Sequence, residues 1–503
     1  MPLDDAELGK LEQLARTGTS VTIPAQQLLQ ILTVLKQLQA ANATLESKLA
    51  AFQANSRNSS KPPSSDRHNP NKPKKDGDGD KDKPKRKPTG KRKPGAQKGH
   101  PGITLKQVDN PDHTVTHELD QSSACPKCGG SLRGACTTGF EKRQVFDLPE
   151  IITIKVTEHR AEKALCPCCA EKITAPFPKE VAAPVQYGHL LCSLVLYLHV
   201  YQLLPCERLC ELLRDLFCCR LSPGTVCAML KRGGARAGPV HEAIGRSVGK
   251  AEFICSDETG MSIGGKNHWL HTASTPSLVF LHIDPRRGEE AIRNMGILTD
   301  YQGFVVHDFF AAYYTLSGIR HVLCNAHLLR DLINVHEIHG QAWAQDMISL
   351  LLEAKKLQDR ENAGGRKVGR KTLDRLQERY IDILAEGYQL NPEPKRRPGQ
   401  RGRTPRGKAL NLLTRLDERH TEIMAFLIHD GIPFDNNEAE RDLRMMKIKQ
   451  KISGCFRSAT QAQSFAKVRS IIASAKKQSI NVLAILRDTL ANTQKAVDSL
   501  GCS

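Results

Sequence analysis

The sequence predicts a multidomain α/β protein built around a mixed β-sheet, and three observations carry that prediction. At 503 residues the chain is too long for a single hydrophobic core. Its middle third reads strand, strand, strand, helix, strand, the succession a mixed sheet needs. The segments before it change character abruptly, from a heptad seam to a basic low-complexity run, then to paired cysteine knuckles and helical periodicity.

Composition narrows the partners. A formal charge of +19 favours a polyanion, and an aromatic content of 5% argues against single-strand binders that stack bases, so duplex DNA is the simplest partner. The start, MPLDDAELGK, is acidic and no apolar run reaches membrane-spanning length, so a cytoplasmic, nucleoid-associated protein with no membrane partner is expected. Sixteen cysteines in a reducing compartment are then read for metal or burial rather than disulfides. Cys192, Cys206, Cys210 and Cys227 fall on helical apolar faces and are expected to be inert core thiols.

Residues 1–53 end in a heptad seam. Leu28, Leu35, Asn42 and Leu49 take the a positions, and Ile31, Leu38, Leu45 and Phe52 take d. A single a-position Asn fixes register and favours a parallel pair, so this helix is expected to dimerise as a coiled coil. Residues 54–105 are a basic linker that buries almost nothing and is suited to neutralising phosphates without reading sequence.

Residues 106–180 carry two knuckles, CPKCGG from Cys125 and CPCCA from Cys166. Two C-x-x-C turns can close one tetrahedral thiolate site, so Cys125, Cys128, Cys166 and Cys169 are the expected ligands of a structural zinc, with Cys168 a possible substitute. Short strands are expected at Arg143 to Leu148 and Ile151 to Val156. Residues 181–248 are helical, with LPCERLCELLRDLF followed by LSPGTVCAMLKRGGARA and Ser222 as N-cap. The pattern resembles a helix-turn-helix whose later helix presents Lys231, Arg232 and Arg236, although a plain helical hairpin explains the same residues.

In residues 249–341 the run EFICSD reads as a buried strand ending at Asp257. Strands at His268 to Thr272 and Leu278 to Ile283, a helix in RGEEAIRNMGIL, and a strand FVVHD ending at Asp308 follow. That order brings the first and fourth strands side by side, and Asp257 near Asp308. Residues 342–427 form a mostly helical insertion containing the basic run KRRPGQRGRTPRGK, which is either a DNA contact or a solvated loop. Residues 428–500 are helical and open with DNNEAER. There Ala439, Leu443 and Met446 form an apolar stripe, while Glu440, Arg444, Lys447 and Lys451 line its flank. A carboxylate for metal beside cations for phosphate could form an active-site edge; the alternative is a salt-bridge ladder. Mg²⁺ prefers such hard oxygen ligands, and a carboxylate set of this kind suits in-line phosphoryl displacement. Cys324 and His327 have metal-like spacing but read as packing and support.

SDET, HDFFAAY, CNAHLLRDL, DNNEAERDLR and SGCFRS occur in the order seen in bacterial insertion-sequence transposases of the IS-sixty-six family, which this chain resembles over nearly its whole length. The resemblance implies an RNase H-like core with Asp257, Asp308 and Glu440 as a DDE triad holding Mg²⁺ or Mn²⁺. It also implies DNA cleavage and strand transfer at element ends, and small accessory proteins. Arg441, Arg444 and Lys447 are weaker candidates for holding phosphate. The rival readings are a non-catalytic zinc-containing DNA-binding regulator and an RNase H-like nuclease that does not join strands.

Overall fold

The computed structural model describes scattered positions of residues 28–45, residues 106–394 apart from 119, 137, 139, 147–153, 166 and 170, then residue 404 and residues 406–502. The described positions between 28 and 45 are helical, with Leu28, Leu35, Leu38 and Leu45 exposed. Leu49, Phe52, the basic linker and most of KRRPGQRGRTPRGK lie outside the described residues. None of the described helices is long and apolar enough to cross a membrane.

The chain divides into two compact units, one of residues 73–157 with 215–219 and one of the remainder. In the smaller unit the chain reverses at the first knuckle. Cys125 N–H donates to Gly130 O at 2.8 Å, Gly129 N–H donates to Cys125 O at 2.8 Å, and Gly129 supplies the required positive φ of 74°. Residues 143–146, expected to be strand, are irregular and mostly exposed, as are 154–156 of the second expected run. Among the described residues their alternation finds no partner strand. Instead Gln144 bonds both backbone groups of Val108, at 2.8 and 2.7 Å.

In the larger unit a short hairpin, β1 (Lys163–Leu165) and β2 (Lys172–Thr174), flanks the second knuckle. Four helices follow: α1 (His189–Leu196), α2 (Cys206–Phe217), α3 (Pro223–Arg236) and α4 (Gly238–Val248). Ser222 caps α3, its hydroxyl accepting from Thr225 N–H at 3.1 Å.

The central sheet contains β3 (Phe253–Ile263), β4 (Lys266–Ser274), β5 (Val279–Asp284), β6 (Phe304–His307) and β7 (Arg320–Leu323), in the order β5-β4-β3-β6-β7. The first three form an antiparallel meander, and β6 and β7 run parallel to β3. A short helix, α5 (Glu289–Asn294), precedes β6. Strand β3 does not end at Asp257, because β4 pairs with it residue by residue as far as Ile263↔Lys266. The polar run after Asp257 is held as strand by its partner rather than by its own propensity.

Helices α6 (Asn325–His339), α7 (Ala342–Ala363), α8 (Arg370–Leu390), α9 (Lys408–Glu418) and α10 (His420–Ile428) then lead to α11 (Asn437–Ser453), α12 (Ala459–Lys477), α13 (Val482–Ala491) and α14 (Thr493–Ser499). The helices of the insertion share one core with the sheet, joining Trp343, Tyr380 and Phe426 to Val306 and Leu323. On the far side, α12 covers the β5 edge. Ser474 Oγ accepts from Val279 N–H at 2.9 Å, and Ser470 Oγ accepts from Leu281 N–H at 3.0 Å. Four residues of helix rise about 6 Å and two of strand about 6.6 Å, so serines at i and i+4 match alternate free strand amides. The edge is thereby closed to further pairing.

Candidate metal centre

The parallel register of β3 and β6 pairs Cys255 with Val306. Two residues further along that register, Asp257 stands beside Asp308, which immediately follows β6. Each aspartate is fixed by a local backbone amide. Asp257 Oδ1 accepts from Glu258 N–H at 2.8 Å and Asp308 Oδ1 from Phe310 N–H at 2.9 Å.

Glu440 lies on α11, which packs on β3 and β4. Its position is set by Asn436 just before the helix. That side chain does not cap α11; its Nδ2 donates to Ser256 O on β3 at 2.7 Å, and its backbone N–H donates to Cys324 Sγ at 3.1 Å. Glu440, in the first turn, then sits 3.7 Å from His327 Nε2 and 4.0 Å from Arg330 Nη2, both on α6. Glu438 is directed elsewhere, because Lys477 of α12 binds it at 2.8 Å and Asp442 at 3.1 Å.

Electrostatics tie the three acids together. Burial, then repulsion from Glu258, Asp308 and Glu440, pushes the Asp257 carboxyl up to about 8. Glu258 is a fourth acid that pattern reading passed over. Burial raises it and Asp308 raises it further, against bonds from Arg287 at 2.9 Å and Tyr313 Oη at 3.1 Å. Arg287 lies over the rings of Trp269 and Phe310, at 4.9 and 4.2 Å. Behind the acids His307 is fully buried against Tyr313, and burial holds it neutral, down at about 3.

A divalent cation fits this set. Buried Glu440 Oε1 has no hydrogen-bond partner, nor do His327 Nδ1 and Asn436 Oδ1, and the opposing charge that would let the crowded acids ionise together is that of a metal. Among the described residues the group whose ligand atoms all lie within 4.8 Å of one another is Cys324, His327 and Glu440, and Asp257 and Asp308 stand outside it. Cys324 is wholly buried, and its Sγ accepts from Asn436 N–H.

Among the weaker candidates, Arg441 and Arg444 are exposed on α11, and Lys447 Nζ donates to Gly260 O at 2.5 Å. Lys231, Arg232 and Arg236 are exposed on α3, and Arg232 reaches Cys192 Sγ at 2.9 Å. Two glycines behind them make this possible. A Cβ at Gly233 would lie 2.6 Å from Leu196, and one at Gly234 would lie 2.7 Å from the Ser464 backbone, so α3 packs hard on α1 and α12 while its cations face out. Of the four thiols expected in cores, Cys192 is buried, whereas Cys206, Cys210 and Cys227 are only half-buried.

The first knuckle has the local geometry of a metal turn. Cys125 Sγ accepts from Lys127 and Cys128 N–H groups, which hold its thiol below the ordinary range. Cys168 and Cys169 are exposed on the second knuckle, and Cys166 lies outside the described residues.

Comparison with known proteins adds four matches. The Transposase IS66 family matches residues 184–464, which include all three carboxylates. The zinc-finger binding domain of transposase IS66 matches residues 122–170, and a family of unknown function matches residues 17–106. The uncharacterized protein y4jD of Sinorhizobium fredii (strain NBRC 101917 / NGR234) is 23% identical over 424 residues, covering 76% of this chain and 77% of its own.

Proposed function

The chain belongs to the IS66 transposase family, and we propose that it binds the ends of a bacterial insertion sequence and catalyses metal-dependent cleavage and strand transfer there. The observation that carries this reading is the electrostatic coupling of Asp257 to Asp308 and Glu440, which come from three separate elements, with Glu440 Oε1 left without a hydrogen-bond partner. The strand order β5-β4-β3-β6-β7 supports an RNase H-like core. Asp257, Asp308 and Glu440 would hold Mg²⁺ or Mn²⁺, which when bound supplies charge stabilisation for the attacking and leaving oxygens of a phosphoryl transfer.

The protein's own groups do the positioning. Asn436 anchors Glu440 to β3, while His327 and Arg330 orient its carboxylate. Arg441, Arg444 and Lys447 offer cations to the strand being cut. Lys231, Arg232 and Arg236 form the duplex contact on α3, extended by the basic linker of residues 54–105. A zinc held by Cys125, Cys128, Cys166 and Cys169 is supported by the zinc-finger match, which spans all four. The exposed heptad leucines support pairing of two copies. Small accessory proteins of the same element and a cytoplasmic, nucleoid-associated location complete the reading.

The test is incubation of labelled element-end DNA and Mg²⁺ with the wild type and with Asp257→Asn. The wild type yields nicked and joined products, and the variant binds DNA without cutting it. Equal cleavage by both removes Asp257 from the mechanism, and cleavage without joining identifies a nuclease.

A further inference from the structure

The apolar stripe of α11 continues past Ala439, Leu443 and Met446 into a lysine. Lys449 is 6% exposed, more buried than most lysines ever are. Among the described residues no carboxylate lies within ion-pair distance of it and no hydrogen bond satisfies it; its neighbours are the Phe456 ring at 5.2 Å, His199 and Cys206. Its stem is buried in the core, while the ammonium, which is not among the fully buried polar atoms without a partner, opens onto a cavity.

Lys449 lines a cavity of about 360 Å³ between the α1–α3 helices and the α11–α12 pair. Two more cations, Lys231 and Arg457, line it, against one carboxylate, Glu207. The rest of the wall is largely apolar, including Leu196, Val200 and Phe465. The excess of cations over carboxylates in the lining favours an anion, the space far exceeds a bare phosphate, and the walls suit a flat apolar body. Nine residues separate Lys449 from Glu440, which at 100° each turns it to the opposite side of α11. This is a site apart from the carboxylates.

We propose that this cavity binds one nucleoside monophosphate unit, its phosphate on Lys449 and its base against the apolar wall. Resting on the reading that the protein acts on DNA, the source is a nucleotide extruded from the duplex, since a base still within the stack cannot reach the apolar wall between the helices.

The full chain is titrated without divalent metal against three probes: a duplex with one unpaired nucleotide, the same duplex fully paired, and free deoxythymidine monophosphate. The wild type prefers the bulged duplex by about tenfold, the scale of one charge-assisted contact. Lys449→Met abolishes that preference while its unfolding temperature stays at or above wild type, and Lys449→Arg keeps it. Tight deoxythymidine monophosphate binding, lost in Lys449→Met and without a bulge preference, makes a free nucleotide the ligand and overturns extrusion. Identical binding of all three probes by wild type and Lys449→Met overturns the site itself, as does competition by inorganic phosphate equal to that by the nucleotide. If the wild type binds neither duplex, the DNA reading fails while the mononucleotide arm still decides the cavity.

Discussion

Replacing Asp257 by Asn should stabilise the metal-free protein, by an amount set by pH. The carboxyl ordinarily titrates at 3.8 and is pushed up to about 8 in the fold. Between those values the folded chain holds a proton that the unfolded chain has lost, so stability falls as pH rises through this window. Below about pH 4 both states are protonated and there is no penalty; above about 8 the penalty is constant. At pH 7 the gap of about three units, at 1.36 kcal/mol each, amounts to at most about 4 kcal/mol. Asn has nearly the same shape and no charge to bury, so it escapes this cost. At about 2–4 °C per kcal/mol for a large domain, the variant should melt on the order of 10 °C higher at pH 7 and nearly level with wild type at pH 4. Thermal unfolding across pH 4–9 in metal-free buffer measures the difference. Mg²⁺ should raise the wild-type midpoint near pH 8 and leave Asp257→Asn almost unmoved. A gap that is flat across pH, or an equal Mg²⁺ response in both proteins, would refute the reasoning.

Three further outcomes follow from named contacts. Asn436→Ala removes the 2.7 Å bond to Ser256 O; it should cost about 1–2 kcal/mol in denaturant unfolding and at least tenfold in cleavage rate, because Glu440 loses its tether. Full cleavage by a folded variant would show that the tether does not place the acid. Ser474→Ala leaves the Val279 amide without an acceptor and should cost about 1–3 kcal/mol without changing metal affinity; an unchanged denaturation midpoint would contradict the edge-closing role. Cys128→Ser should lower bound zinc, read by elemental analysis, from one per chain to none while the unfolding of the sheet unit stays put. Retained zinc would remove Cys128 from the ligand set.

How much of the site was legible depends on where each constraint resides in the chain. Glu440 could be separated from Glu438 by helical period alone, since the relevant neighbours, Arg444 and Lys447, lie on the same helix. The structural reason Glu438 is unavailable, its bond to Lys477, comes from another helix and leaves no local trace. The strand carrying Asp257 runs on past its expected end: Glu258 to Ser262 looks like a turn in sequence, and only β4, pairing nine consecutive residues, makes it strand. Glu258 was lost with that error, because its partner Arg287 lies 29 positions away. At 143–146, the described part of the strand expected at Arg143 to Leu148, the converse holds: the alternation is real but unpartnered among the described residues.

The long interval between Asp308 and Glu440 is where sequence and structure differ most in meaning. On the page of residues, helices α7 to α10 look like an insertion that the catalytic core merely tolerates. In the fold they share the sheet's core and lead to the segment that fixes Glu440. Buried Gln358 of α7 donates both to Phe426 O on α10, at 2.6 Å, and to Ile432 O in the segment after it, at 2.8 Å. Two residues later Phe434 packs edge-on to Phe426 at 4.9 Å, and its carbonyl receives Asn325 N–H at 3.2 Å. Asn436 follows, pinned to β3 and to Cys324, and one helical turn beyond it stands Glu440. Each link is a buried hydrogen bond or ring contact, so little slack accumulates between α7 and the acid. A carboxylate more than a hundred residues distant in sequence is thereby held against β3, where its charge is felt by Asp257.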